Sequence, residues 1–417
     1  MFRFRRVTAS DVLGLEKRDF AEDLGVAQII RDIELHGEEA LLAFGEKFGD
    51  IDQDAPYMLS RTDLEDAFSA LPIAQQQLLE RVGRRIANFA QAQKDCLKEL
   101  DVSIPGGIAG HRLQPIYSAG CYAPGGRFPL PSSVLMTAIP ARVAGVQQIC
   151  VASPRPQPIM LGAAFVAGAD QMLAIGGAQA IAAMAFGAGK VPRCDIIVGP
   201  GNRYVTAAKR LLSGRVGIDM LAGPSELLVI ADDSANPTWV AADLLAQAEH
   251  DVDARPMLIC LGEAIIPRIE KEIAAQLDAG MPNNFVVVVS SMKEAATISN
   301  RIAPEHLQLC VKDAVAYTQL FTSYGGLFVG ETSAEVFGDY GFGPNHTLPT
   351  SGCARFTGGL SVLNFLRVQT FLQIDNSVLA REAADDARAL AELEGLRGHA
   401  HAIAVRQRSS EKLDDLK

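Results

Sequence analysis

The chain is 417 residues long and carries 38 basic against 49 acidic side chains, a formal net charge of −11. That length supports more than one hydrophobic core. The acidic balance, with no basic run and no aromatic–basic interleaving, argues against nucleic acid as a partner. Hydrophobic residues at 48% and charged residues at 21% are those of a water-soluble globular protein, which sets aside disordered and membrane-embedded classes.

The opening segment, MFRFRRVTASDVLGLEKRDF, is basic but lacks the apolar stretch of a signal peptide, so it reads as the mature start of a cytoplasmic protein. Up to about residue 100, apolar positions recur at intervals of three and four, as in VAQIIRDIELHGEEALLAFGEKF, and predict helices. From about residue 110, short β-rich runs (QICVASP, QMLAIGG, DIIVGPG, ELLVIADD) alternate with Ala-rich helical stretches. That spacing predicts a mostly parallel sheet covered by helices. The run from Met172 to Gly189 has Gln179 as its only polar side chain and is long enough to raise a membrane span. Gly176-Gly177 splits it, and a buried strand–turn–helix is the better reading. RPMLICLG, NFVVVVSS and GGLFVG announce a second strand-rich region, and the chain after about residue 375 is helical again, ending in a charged, frayed tail. Seven scattered cysteines, with no CxxC pair, fit small core residues in a reducing compartment.

Ligands of open parallel sheets bind beyond the carboxyl ends of the strands. The loops expected there are unusual: YAPGGRFPLPSS at 122–133, GGAQA at 176–180, GPGNRYV at 199–205 and AGPSE at 222–226. Glycines let backbone approach a ligand, and amides at a following helix start suit phosphates. The dinucleotide fingerprint GxGxxG is absent. Each loop alone reads as well as a structural turn; four in one α/β region point to an anionic ligand such as a nucleotide.

The helix beginning near Asn236-Pro237 ends in LLAQAEHDVDAR, where Gln247, Glu249, His250 and Asp251 arrive together. Gln247 and His250 are three apart and share a face, a spacing that lets two side chains converge on one metal ion. Gln with His is an unusual zinc pair, and alone this end reads equally as a solvated helix terminus. Three further histidines lie in dense polar segments: Glu305-His306 in RIAPEHLQL, Asp339 and His346 in GDYGFGPNHTLPT, Glu394 and His399 in EGLRGHAHA. Any one suits a structural role; together they supply a tetrahedral metal set and a spare acid–base pair. His36 and His111 lack such company and read as structural or exposed.

GPGNRYVTAAKR, AGPSELLVIAD, LLAQAEHD, APEHLQL, GDYGFGPNHTLPTSGCAR and EGLRGHAHAIAVR together resemble, in order and spacing, the motifs of the histidinol dehydrogenase family. The resemblance covers nearly the whole chain and is strongest over 115–405. It implies an α/β fold of two incomplete Rossmann-like parallel-sheet domains with smaller helical N- and C-terminal segments. The implied division is 1–115, a helical part joining the catalytic domain; 116–224, nucleotide binding; 225–370, zinc and catalysis; 371–417, a helical dimerisation segment. The implied activity uses one zinc ion per subunit and NAD to oxidise L-histidinol, through the aldehyde, to L-histidine in the last steps of histidine biosynthesis.

By the same resemblance Gln247, His250, Asp339 and His399 are zinc ligands, and Glu305 and His306 are catalytic. Ser225, His346 and Glu394 contact substrate together with Gln247, His250, His306, Asp339 and His399. Tyr122, Gln179 and Asn202 touch NAD. The family forms intertwined homodimers, so His399 and Glu394 are expected to reach the site of a partner copy. Two stretches depart from the family pattern: Arg127-Phe128, and Gly358-Gly359 with Arg367. Paralogues that keep zinc and the Glu-His pair oxidise other alcohols, including a sulfonated propanediol, and an added arginine would suit an anionic substrate. A surface or nucleotide-loop arginine is the plainer reading, and Glu394 with His346 favours histidinol. A cysteine nucleophile, Cys121 or Cys353, is the rival for aldehyde oxidation, but neither has a base beside it in sequence.

Overall fold

A computed structural model describes residues 2–13, 25–52, 56–125, 128–249, 252–276, 281, 283–376 and 378–414. The β-rich runs become central strands: Glu226–Ala231 is buried at all six positions, as a strand covered on both faces must be. Its alternate residues feed two separate cores. Leu227, Val229 and Ala231 pack with Val240, Ala241 and Leu244 of helix Pro237–Glu249, whereas Leu228 and Ile230 pack with Ala295 and Ile298 of helix Met292–Ile302.

By its contacts the chain forms two units, Met1–Lys94 with Ile116–Phe365, and Asp95–Pro115 with Leu366–Lys417. The first contains two sheets. One is ordered Met58–Ser60, Gln171–Leu173, Gln148–Ala152, Ser118–Tyr122, Ile196–Val198, Gly217–Ile218, with only Met58–Ser60 antiparallel. The other is wholly parallel: Phe285–Val289, Arg255–Leu261, Glu226–Ala231, His306–Cys310, Gly326–Val329. Taken in chain order, the five parallel strands of each sheet lie 3-2-1-4-5, the doubly-wound order without its sixth strand. The α/β class with parallel sheets is therefore present, twice over.

The stretch around Met172 is the expected strand–turn–helix: strand Gln171–Leu173, a turn, and helix Gly177–Phe186. Among the described residues no helix is long and apolar enough to cross a membrane. Six of the seven cysteines are buried, and Cys96 is exposed.

The second unit is a three-stranded antiparallel sheet, Leu366–Ile374, Gly107–Pro115 and Leu100–Ile104, with helices Arg381–Leu393 and Arg397–Asp414 packed on each other. Residues 95–115, expected in the helical N-terminal part, pair here with the strand that begins after residue 365. The outer strands do alternate, Leu100, Val102 and Ile104 in one and Leu366, Val368, Leu372 and Ile374 in the other, but these short alternations are weak signals beside the helical pattern of the first hundred residues.

Candidate active site

Glu305 and His306 stand where a helix gives way to a strand. Helix Met292–Ile302 ends at Ala303, whose left-handed φ of 51° breaks the spiral, and Pro304 bars its continuation. Strand His306–Cys310 starts at once beside Glu226–Ala231, with His306 opposite Leu227. Both side chains thereby reach the backbone of Glu226. Glu305 Oε2 accepts the Glu226 N–H at 2.8 Å, and His306 Nδ1 lies 3.0 Å from the Glu226 carbonyl oxygen. A carbonyl only accepts, so the proton sits on Nδ1 and Nε2 is the basic nitrogen.

His306 Nε2 faces two more carboxylates, Glu335 Oε1 at 3.6 Å and Asp339 Oδ1 at 3.8 Å. Glu335 precedes the short helix Val336–Asp339 and Asp339 ends it, four residues apart on one face. One ligand atom from each of His306, Glu335 and Asp339 falls within 4.8 Å of the others. Burial raises Asp339 to about 7 and, helped by the charges of Asp339 and Asp243, Glu335 to about 8. Burial also holds Glu305 well above the usual carboxylate range, against the pull of the Glu226 N–H; the charges of Glu226, Asp339 and Glu335 add to the rise.

Gln247 belongs to the same place. Asp243, one turn earlier on helix Pro237–Glu249, accepts from Gln308 Nε2 at 2.7 Å. A helical turn advances about 5.4 Å and two strand residues about 6.6 Å, in opposite directions, which puts Gln247 level with His306. Gln247 is wholly buried, and neither its oxygen nor its nitrogen has a hydrogen-bond partner among the described residues; nor has either oxygen of Glu335. Buried amides left this way are rare and unfavourable. A divalent cation satisfies such an amide oxygen and offsets several buried carboxylates at once, so the residues present fit a metal ion.

The site opens into a cavity of about 1120 Å³. Its wall takes Asn202, Ser225, Glu305, His306, Asp339 and His346, together with the glycine loops Gly199–Gly201 and Gly223. His346 Nδ1 lies 3.0 Å from the Asp339 carbonyl, which fixes that ring too. Asn202 caps helix Arg203–Leu212, its Oδ1 accepting from Tyr204 N and Val205 N.

The histidinol dehydrogenase family model matches residues 16–407 of this chain. The histidinol dehydrogenase of Thermus thermophilus is 42% identical over 407 residues, 94% of this chain and 97% of that protein. That of Methanopyrus kandleri is 41% identical over 417 residues, 95% and 96% of the two chains. The crystal structure of histidinol dehydrogenase from Elizabethkingia anophelis superimposes with a TM-score of 0.90 at 35% identity, covering 97% of each chain.

The chain belongs to the histidinol dehydrogenase family. It is thus an oxidoreductase by family. Of the positions expected from the family's motifs, the structure brings Asn202, Ser225, Glu305, His306, Asp339 and His346 to one cavity; Gln247 is buried on helix Pro237–Glu249, one turn beyond Asp243, which is bonded to Gln308 of the His306 strand. His250 lies outside the described residues, as does Arg127. Tyr122 and Gln179 are buried and do not line the cavity: the Tyr122 hydroxyl accepts from Gly177 N at 3.1 Å, and Gln179 donates to Asp50 at 3.1 Å, although the Tyr122 carbonyl abuts Gly199 of the cavity wall. Glu394 and His399 are exposed side chains of the second unit. Arg367, also there, donates to the Pro115 carbonyl at 3.0 Å. His36 is exposed, and His111 Nε2 lies 3.1 Å from the Lys98 carbonyl.

Two residues of the histidinol dehydrogenase site escaped sequence reasoning. Glu226 closes the AGPSE loop, where no side-chain pattern marks it, although its backbone anchors both Glu305 and His306. Glu335 had a readable signal, its four-residue spacing from Asp339 in AEVFGDYG. The thiol rival finds no support: Cys121 is fully buried and its thiol is pushed far up by that burial, and Cys353 is buried as well.

Proposed function

We propose that this chain oxidises L-histidinol through L-histidinaldehyde to L-histidine with zinc and NAD. The observation that carries the reading is the shared anchorage of Glu305 and His306 on the peptide of Glu226, at the wall of a cavity that glycine loops also line. His306, held with Nδ1–H on a carbonyl, presents Nε2 as the base that takes the proton of the primary alcohol. Glu305, with its raised affinity for a proton, accepts and returns one beside it. In the second half-reaction the same pair removes a proton from water as it attacks the aldehyde, and the hydrate formed is oxidised in its turn. NAD, when bound, supplies the hydride acceptor for both steps. Gln247, His250, Asp339 and, from a partner copy, His399 would hold zinc, which orients the substrate's imidazole and amino nitrogens.

Ser225 and His346 line the substrate side, with Glu394 added by the partner in a homodimer. Asn202, Tyr122 and Gln179 belong to the NAD side. Segment 116–224 then serves the nucleotide and 225–370 the substrate and metal. The engagement of Arg367 with Pro115 removes one ground for an anionic substrate, and no observation favours a paralogous alcohol. The test is NADH released from limiting L-histidinol by zinc-loaded protein, followed to completion. Two NADH per histidinol supports the four-electron oxidation. One NADH makes the enzyme an alcohol dehydrogenase that stops at the aldehyde, and none removes histidinol as the substrate.

A further inference from the structure

Behind the cavity, and used by no step of the proposed reaction, lies an ion pair that water does not reach. The side chains of Lys209, on helix Arg203–Leu212, and of Asp219 are 2% and 0% exposed. Their contacts converge on one glycine. Lys209 Nζ donates to the Gly199 carbonyl at 3.0 Å and to Asp219, while Asp219 Oδ2 accepts the Gly199 N–H at 2.7 Å. Both polar groups of Gly199 are thus gripped by the same pair. The residue has φ +114°, and a side chain there would collide with the Tyr122 carbonyl, so this conformation needs both glycine and an external hold. The hold extends to the loop after Asp219: its Oδ1 accepts Met220 N–H at 2.7 Å, and Thr206 Oγ1, one turn before Lys209, donates to the Ala222 carbonyl at 2.9 Å.

Gly199–Arg203, and Met220 with residues 222–225, line the cavity. A buried ion pair is weak evidence for stability alone, since apolar residues of equal volume do as well or better. What this pair does that apolar residues cannot is fix a glycine peptide at both ends. We infer that Lys209 and Asp219 are positioning residues that hold the Gly199–Asn202 loop in its dinucleotide-binding shape and tie it to the 220–225 loop on the substrate side. The inference rests on the reading that the first loop receives NAD.

The test is steady-state kinetics of Lys209→Met/Asp219→Asn, which removes the pair without stranding a charge, alongside Thr206→Val, which cuts the tie to Ala222 while keeping the shape of a side chain that also borders the cavity. The KM for NAD is expected to rise about tenfold in the double variant and about threefold in Thr206→Val, the scale of one or two lost hydrogen bonds. Because Met220–Ser225 is only tied through the pair, the KM for histidinol should rise by a smaller factor than that for NAD in both variants, and kcat should change less than about twofold. Unchanged KM for NAD in folded variants, or equal rises in both KM values, overturns the positioning role. A double variant that does not fold makes the pair a stability element, and the Thr206→Val split then decides the loop's role. Wild-type protein that neither binds nor reduces NAD overturns the functional reading itself, an outcome separate from both.

Discussion

The two parallel sheets share a strand order and work from opposite ends. In the first, the crevice between Ser118–Tyr122 and Ile196–Val198 opens at the carboxyl ends, and Pro124 and Gly199–Asn202 from that end line the cavity. This is where doubly-wound sheets are expected to bind. In the second, the corresponding pair is Glu226–Ala231 and His306–Cys310, yet Glu226, Glu305 and His306 all stand at the amino ends. All four loops follow strands of the first sheet, as expected: 122–133 after Ser118–Tyr122, 176–180 after Gln171–Leu173, 199–205 after Ile196–Val198, and AGPSE after Gly217–Ile218. AGPSE then enters the second sheet, whose site residues stand at the opposite, amino end. At the carboxyl end of the second pair, Asp232 Oδ1 accepts Ser234 N–H and Oδ2 accepts Lys312 N–H, both at 3.0 Å, so one side chain bridges the two loops. Strand order alone does not locate a site.

The largest effect expected from breaking this contrast lies at the amino end of the second sheet. Glu305→Gln and His306→Asn should each lower kcat about 10³-fold, the scale of a lost general base, with the KM for NAD nearly unchanged. Retention of more than about a tenth of kcat in both would remove the pair from the chemistry. Next is Gly199→Ala at the carboxyl end of the first sheet. Its φ and its clash with the Tyr122 carbonyl predict a loss of about 2–3 kcal/mol in unfolding free energy. The KM for NAD should rise more than that for histidinol; the reverse split would place the dinucleotide elsewhere.

How much of this was legible in the sequence tracks the same divide. The β-rich runs marked both parallel sheets because buried strands leave apolar signatures, and Glu305-His306 and Asp339 stood out as polar groups in tight, Gly/Pro-marked segments. The antiparallel sheet of Leu100–Ile104, Gly107–Pro115 and Leu366–Ile374 stood out less, because the alternation of LDVSI and LRVQTFLQI is weaker than a continuous apolar run and its central strand, GIAGHRLQP, has no regular alternation. Glu226 acts through its N–H and carbonyl, which every residue except proline has, so no side-chain pattern could announce it. Lys209 lies among ordinary helix residues, and its partner Asp219 is ten positions away across a turn. That the second sheet's site residues stand at its amino end follows from the anchorage of Glu305 and His306 on Glu226, which a one-dimensional pattern does not reveal.

A third prediction separates the acids of the second sheet from a cation among them. In metal-free protein, burial raises Asp339 from 3.8 to about 7 and Glu335 from 4.5 to about 8. A carboxyl whose folded value lies above its unfolded one contributes stability in full below the unfolded value, and loses it as pH rises through the folded one. Metal-free protein should therefore melt at progressively lower temperature from about pH 4 to about pH 8. A bound divalent cation favours the ionised carboxylates, so zinc-loaded protein should gain rather than lose stability over that range. Thermal melts with and without chelator, across pH, read this directly. Parallel curves for the two forms would mean that no cation sits among these acids.

The smallest expected effect is the sharpest check on the contrast. Asp232→Ala opens the carboxyl-end crevice of the second sheet by removing the acceptor of Ser234 N–H and Lys312 N–H. Both amides lie near water, which replaces the lost partner, so the unfolding free energy should fall by only about 1 kcal/mol. The chemistry is a strand's length away: six residues at about 3.3 Å each separate the two ends of Glu226–Ala231. Neither kcat nor either KM should move by more than about twofold at a temperature where the variant is folded. A raised KM for NAD in this variant would mean that the second sheet also binds from its carboxyl end, and the opposition between the two sheets would fall.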